Sequence, residues 1–140
     1  MQIFSRIWQR TPSEPLVSVV VASYNHAHFV ADCLRSALSQ GIDPLEIIVT
    51  DDGSTDSTAE QIAALANPRI HLHRFAQNRG ACVALNDAIR RSRGRYIAVL
   101  NSDDLFLPGK LRRQLQHLQQ NPRVGAVFGW PAFINEQGQP

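Results

Sequence analysis

The sequence predicts a three-layer α/β domain: a mostly parallel, Rossmann-like sheet with helices on both faces. Two observations carry this. Short apolar runs alternate with stretches of helical periodicity from Pro15 onward, the order of repeated βα units. The apolar runs are also continuous rather than interleaved with polar residues, as in strands buried on both sides. Right-handed crossovers between parallel strands then distribute helices to both faces.

Each element has its own warrant. Val17 to Ala22 is a valine-rich run and reads as the first strand. His28 to Gln40 follows, with Val30, Leu34, Ala37 and Leu38 spaced for one helical face. Glu46 to Thr50 is a second buried strand. Ser57-Thr58-Ala59-Glu60 has the Ser-x-x-Glu pattern of a capping box and opens a helix through about Ala66. Asn67-Pro68 turns the chain into a third strand, Ile70 to Phe75. Gly80 to Ser92 reads as a helix with Val83, Ala84, Ala88 and Ile89 inward, ended by Gly94. Tyr96 to Leu100 is the fourth strand. Pro108-Gly109 opens a helix carrying Leu111, Leu115 and Leu118, stopped at Asn121-Pro122. Val124 to Trp130 completes the series as an expected fifth strand.

Composition narrows the class. A chain of 140 residues is one domain, able to bury roughly two-thirds of its unfolded surface. Its 44% apolar and 19% charged residues are ordinary for a globular protein. A net charge of +2 is too small to argue for nucleic acid as a partner, and none is expected. No apolar run approaches the ~20 residues of a membrane span, and no secretory signal pattern is visible. Cys33 and Cys82 are isolated in helix-like segments and read as buried free thiols in a reducing compartment. The expected location is therefore cytoplasmic. Residues 1–14 stand apart as an extension to a domain over 15–140. In Met1 to Arg10, Ile3, Phe4, Ile7 and Trp8 share a helical face, the pattern of a short interfacial anchor. Ten residues make a marginal helix in water, so a disordered tail or docking segment explains them equally.

The polar clusters are more informative than the strands. Ser23-Tyr24-Asn25 follows the first strand, Asp51-Asp52-Gly53-Ser54 the second, and Asn101-Ser102-Asp103-Asp104 the fourth. Ligands of open α/β sheets bind outside the carboxyl ends of the strands, so these clusters describe one shared site. Four carboxylates crowd there only if a cation is present or some are hydrogen-bonded apart. Mg²⁺ or Mn²⁺ takes oxygen ligands, often one or two carboxylates plus substrate phosphates, and Asp103-Asp104 suits that role. Asp51 suits a hydrogen bond to a ribose hydroxyl or a base N–H, and Tyr24 offers a face for stacking. The parts fit a nucleoside diphosphate with a bridging metal. Neither Gly-x-Gly-x-x-Gly nor Gly-x4-Gly-Lys-Ser/Thr is present, which counts against a dinucleotide dehydrogenase and a P-loop NTPase.

These residues resemble family-2 glycosyltransferases of the GT-A fold. Val17 to Asn25 is similar to that family's opening strand, and Ile47 to Asp56 to its second motif. Asn78-Arg79-Gly80, Ala84-Leu85-Asn86 and Gly94-Arg95-Tyr96-Ile97 resemble its third block. Asn101-Ser102-Asp103-Asp104 stands where the family carries its metal-binding Asp-x-Asp element. The resemblance implies a donor nucleotide site of Ala22, Ser23, Tyr24, Asn25, Asp51, Asp52, Asn78, Gly80, Asn101, Ser102 and Asp103, with metal at Asp103 and Asp104. Within it, Tyr24 and Asp51 would contact the base, most often uracil, and Asp52 would support that loop. Asp103 would approach ribose or metal, and Asp104 would hold the metal. The sequence departs from the pattern at Asn101, where relatives often carry the first aspartate, and at Leu85, where many carry arginine.

The implied reaction moves a sugar from a nucleotide-diphosphate donor, UDP-linked in the commonest case, to an acceptor hydroxyl with inversion. A metal would stabilise the departing diphosphate and a carboxylate would take the acceptor proton. In the family that base comes from the segment after the metal motif. The expectation for this chain, ending at Pro140, is donor binding with little turnover. A glycan, a lipid-linked sugar or another hydroxyl would be the acceptor, met in the cytoplasm or at the inner face of the membrane.

Plainer readings stand beside these. Asp51-Asp52-Gly53-Ser54 alone reads equally as a turn and cap, and Tyr24 alone as a packing aromatic. His71 and His73 alternate on a strand and face one side, but lack a third ligand and read as satisfied or solvated. Arg90, Arg91, Arg93 and Arg95 read as a solvated helix end complementing the dipole. The competing functions are a non-catalytic nucleotide-binding or assembly module of the same fold, and a nucleotidyltransferase. The second would need a glycine-rich loop where Ser23-Tyr24-Asn25-His26 stands.

Overall fold

The computed structural model describes residues 14–135, so the amphipathic reading of Met1 to Arg10 lies outside them. Strands and helices alternate as the patterning predicts: β1 (Val17–Ser23), α1 (Val30–Leu38), β2 (Leu45–Asp51), α2 (Thr58–Ala64), β3 (Ile70–Arg74), α3 (Ala81–Arg91), β4 (Tyr96–Val99) and α4 (Lys110–Gln120). The strands form one parallel sheet in the order β3-β2-β1-β4. The inner pair, β1 and β2, are the continuous apolar runs, and β2 is buried along its whole length. Ile97 and Val99 on the outer strand β4 stay exposed.

Strand parity sorts the core into two layers. Val17, Val19 and Val21 of β1, with Leu45, Ile47 and Val49 of β2, pack under α1, α2 and α4 through Val30, Leu34, Ile62, Leu111 and Leu115. Val20 and Ile48 point the other way, against Ala88, Leu85 and Ile89 of α3. Burying each such aliphatic side chain stabilises the fold by roughly 1.5–3 kcal/mol. Alanines 84 and 88, fully buried, let α3 lie close on the sheet.

The α3 face also holds two buried carboxylates. Ser18 Oγ donates to Glu46 Oε1 (2.6 Å), and so does the Arg93 backbone N–H (2.7 Å), while Arg93 Nη2 reaches Oε2 at 2.9 Å. Burial pushes the Glu46 carboxyl up, but these bonds outweigh it and hold it below the usual range. At the other end of the layer, Asp87 Oδ2 accepts from Thr50 Oγ1 (3.0 Å), His73 Nδ1 (2.8 Å) and Arg91 Nε (2.8 Å). Here too burial opposes ionisation, and the bonds from Arg91, His73 and Thr50 bring the carboxyl down to about 2. The basic stretch is therefore not simply a solvated face: Arg91 and Arg93 are partners of buried carboxylates.

Three further expectations are corrected. Val124 to Trp130 is irregular rather than a fifth strand. A strand needs a neighbour's backbone and side-chain burial, and Phe128 and Trp130 are 91% and 99% exposed. The Ser57–Glu60 capping box does not form, because Ser57 makes no side-chain cap. Asp56 takes that role one residue earlier, its Oδ1 accepting from the Thr58 N–H (2.9 Å) and hydroxyl. Of the two cysteines only Cys33 is buried; Cys82 is exposed.

Candidate functional site

Because β2, β1 and β4 are neighbours, the polar segments that follow them meet at one edge of the sheet. From β1 the chain runs outward to β2 and β3, then returns to β4 on the other side of β1. Such a switch point leaves a crevice at the strand ends.

Asp51 ends β2 with no exposed surface. Its Oδ1 accepts from the hydroxyls of Ser23 (3.2 Å) and Ser54, and its Oδ2 from the Ser54 N–H (3.1 Å). Arg74 Nε lies 3.3 Å from Oδ2, and Arg74 Nη2 donates to Ser54 O at 2.7 Å. Both oxygens of this carboxylate are thus already engaged by neighbouring donors. Asp52 is equally committed: Oδ1 accepts from the Arg79 N–H (2.7 Å) and Oδ2 from the Gly80 N–H (2.8 Å). Between them Gly53 has φ +73, and a Cβ there would sit 2.6 Å from the Gln77 carbonyl carbon. Asp52-Gly53 and Asn78-Arg79-Gly80 thus form one interlocked unit at the start of α3.

The other residues expected at the site differ in exposure. Tyr24 is 42% exposed. Asn25 turns the chain at φ +53, a conformation asparagine tolerates, and its Oδ1 accepts from the Thr55 N–H (2.9 Å). Ala22 is half-buried, Ser23 buried, Asn78 exposed and Gly80 half-buried. A depression of about 450 Å³ opens beside them, lined by Gly53, Ser54, Thr55, Arg74, Phe75 and Ala76. The Arg79 guanidinium lies 4.9 Å from the Phe75 ring centre at its side.

On the β4 side, Asn101, Asp103 and Asp104 are exposed and Ser102 is buried. Asn101 Nδ2 donates to Asp104 Oδ2 (2.8 Å). His26 Nδ1 and Ser102 Oγ are 2.7 Å apart. Cys33 lies below, its thiol donating to Asn101 O (3.3 Å). Burial first, then the charges of Asp104 and Asp103, push that thiol up to about 12. Among the described residues no set of three His, Cys, Asp or Glu side chains could hold a metal alone. Two adjacent exposed carboxylates fit a hard cation whose other ligands come from a phosphate. The crowding expected of four carboxylates is relieved by hydrogen bonding: Asp51 and Asp52 belong to the frame, Asp103 and Asp104 to the rim.

Comparison with known proteins decides the family. The model of glycosyl transferase family 2 matches residues 18–139, almost the whole described sheet and its site loops. The chain belongs to this family. Similar family-2 proteins include the putative teichuronic acid biosynthesis glycosyltransferase TuaG of Bacillus subtilis (strain 168), 36% identical over 91% of this chain and 51% of TuaG. The succinoglycan biosynthesis protein ExoO of Rhizobium meliloti (strain 1021) is 43% identical over 73% of this chain and 29% of ExoO. The chain thus spans about half or less of these relatives. Among solved structures, the mannosyltransferase PcManGT of Pyrobaculum calidifontis, in complex with GDP-Man and Mn²⁺, superposes with a TM-score of 0.72 at 30% identity, covering 81% of this chain and 35% of PcManGT.

The family-2 crevice includes residues that motif reading passed over. Arg74 bridges Asp51 and Ser54, and the only available signal was a charged residue at a strand end facing the site. His26 joins the start of α2 to the acidic loop; its signal was adjacency to Ser23-Tyr24-Asn25. Leu85, where an arginine was the family expectation, packs against the α3-side core.

Proposed function

We propose that this domain binds a nucleoside-diphosphate sugar across the ends of β2, β1 and β4 and presents it for metal-dependent, inverting transfer to an acceptor hydroxyl of an envelope or extracellular polysaccharide. The observation that carries the reading is the division of labour in the crevice. A hydrogen-bonded floor of Asp51, Asp52, Ser23 and Ser54 supports a rim where Tyr24 and Asp103-Asp104 stay exposed. The donor seen in PcManGT and the polysaccharides in the names of TuaG and ExoO support the donor and acceptor classes. Resemblance makes UDP the first nucleotide to test, and PcManGT makes GDP the second.

In this reading the base stacks on Tyr24 beside the depression at Arg74, and the Asp51-Ser54 turn fixes its edge. Asp103 and Asp104 would hold Mn²⁺ or Mg²⁺. That ion, when bound, supplies Lewis-acid stabilisation of the departing diphosphate. The rigid floor keeps the donor phosphates over the acidic loop, so little reorganisation is needed as charge develops. The acceptor is a glycan or a lipid-linked hydroxyl, and the same reading keeps the domain in the cytoplasm or at the inner face of the membrane.

Calorimetric titration with UDP and with GDP, each with and without Mn²⁺, tests it. One nucleotide should bind far more tightly with Mn²⁺, and Asp104→Ala should reduce that metal-dependent gain by at least about tenfold, no less than the loss of a group that merely orients a metal ligand. Binding that ignores both metal and mutation would overturn the metal-clamp reading. Absence of any nucleotide binding would overturn the donor site.

A further inference from the structure

We propose that His26 is a positioning residue that sets the acidic loop in register with the nucleoside end of the crevice. The inference rests on the donor-site reading above and deepens it. The segment after β1 runs between the segments after β2 and β4. It is fastened heavily to the β2 side: the Asn25 N–H donates to Ser54 Oγ (2.9 Å), the His26 N–H to Thr58 Oγ1 (2.9 Å) and the Ala27 N–H to Asp56 Oδ2 (3.1 Å). Toward the β4 side, the side-chain link from this segment is the bond between His26 Nδ1 and Ser102 Oγ, at 2.7 Å. His26 thus holds the first residue of α2 by its backbone and the acidic loop by its ring.

The far end of that link is well chosen to steer the carboxylates. Ser102 is buried and sits between Asn101 and Asp103, so holding its hydroxyl restrains the stretch of backbone from which Asp103 projects. Asp104 is tied back independently, its N–H donating to Asn101 O (3.1 Å) and its Oδ2 accepting from Asn101 Nδ2. The ring itself is steadied by an edge contact with Phe29, centres 6.1 Å apart. In either tautomer the pair makes a hydrogen bond, because the serine hydroxyl both donates and accepts. Groups that orient metal ligands from behind typically change metal affinity by 10–100-fold when removed.

The test compares wild type, His26→Ala, Ser102→Ala, the double variant and His26→Asn. Each is titrated with UDP plus Mn²⁺, with GDP plus Mn²⁺ as second probe, and with metal-free uridine or guanosine by NMR. His26→Ala and Ser102→Ala should each weaken diphosphate binding with Mn²⁺ by about tenfold, and His26→Ala should leave nucleoside binding unchanged. The double variant should be no worse than either single one, since both remove the same bond, and His26→Asn, which keeps a hydrogen-bonding group, should recover part of the loss. Wild-type binding with His26→Ala unaffected would overturn this inference alone, as would equal losses for diphosphate and nucleoside or additive losses in the double variant. No metal-dependent diphosphate binding by the wild type would overturn the donor-site reading and this inference with it.

Discussion

Aspartates on different loops of this crevice have opposite occupations. Asp52 is buried, with two backbone N–H groups pointing at it, whereas Asp104 is exposed at the rim. Truncating Asp52 leaves the part-buried amides of Arg79 and Gly80 without their carboxylate, and each hydrogen bond to a charged group contributes about 1.5–3 kcal/mol. Asp52→Ala should therefore lower unfolding stability by about 3 kcal/mol in urea titrations, while Asp104→Ala should change it by no more than about 0.5 kcal/mol, as for other surface substitutions. Comparable losses for the two would contradict the division between floor and rim. A sequence shows both as acidic residues in polar loops; which one faces inward depends on where the chain of Gln77 to Gly80 passes, a contact between segments separated by α2 and β3. The site was therefore legible as a set of loops, but not as a division of roles within them.

At the scale of elements, the βα alternation was readable because each inner strand and helix face carries its own periodicity, as in Val19-Val20-Val21 or Val30, Leu34 and Ala37. What misled was any feature that depends on a partner. Val124 to Trp130 has strand composition, yet it stays irregular because no described strand pairs with it. Ser57–Glu60 has the letters of a capping box, yet Ser57 makes no side-chain cap and Asp56 accepts from the Thr58 amide instead. The joint between α3 and β4 makes a sharper case. A Cβ on Gly94 would collide with Ser18 N and lie 2.6 Å from Ser18 Oγ, the same hydroxyl that accepts from the Gly94 N–H at 2.7 Å and donates to Glu46. Gly94→Ala must push β1 and β4 apart or break that bond, and overpacking of this kind costs about 1–3 kcal/mol. A urea midpoint lowered accordingly, with the Glu46–Arg93 pair weakened, is the expected outcome; an unchanged midpoint would mean the joint yields freely.

Across the whole molecule, the α3 layer ties stability to pH. The folded Asp87 carboxyl titrates at about 2 against an ordinary 3.8. A depressed carboxyl contributes stability that is complete above its unfolded value and drains away as pH falls toward its folded one. Asp87 should thus contribute about 2 kcal/mol above pH ~4 and lose it progressively between about pH 4 and 2. Glu46, also held low, acts with the same sign. Urea unfolding from pH 6 to 2 should show this loss in wild type and a shallower one in Asp87→Asn; identical slopes would remove Asp87 from the account. The interlock of Gly53 against Gln77 and Asn78 has a different kind of consequence, for evolution and engineering. With no room for even one added methyl group, the backbone there behaves as a fixed casting. New ligand preferences must then arise by exchanging side chains mounted on it, at positions such as Tyr24 and Arg74, and not by lengthening or recurving the turn.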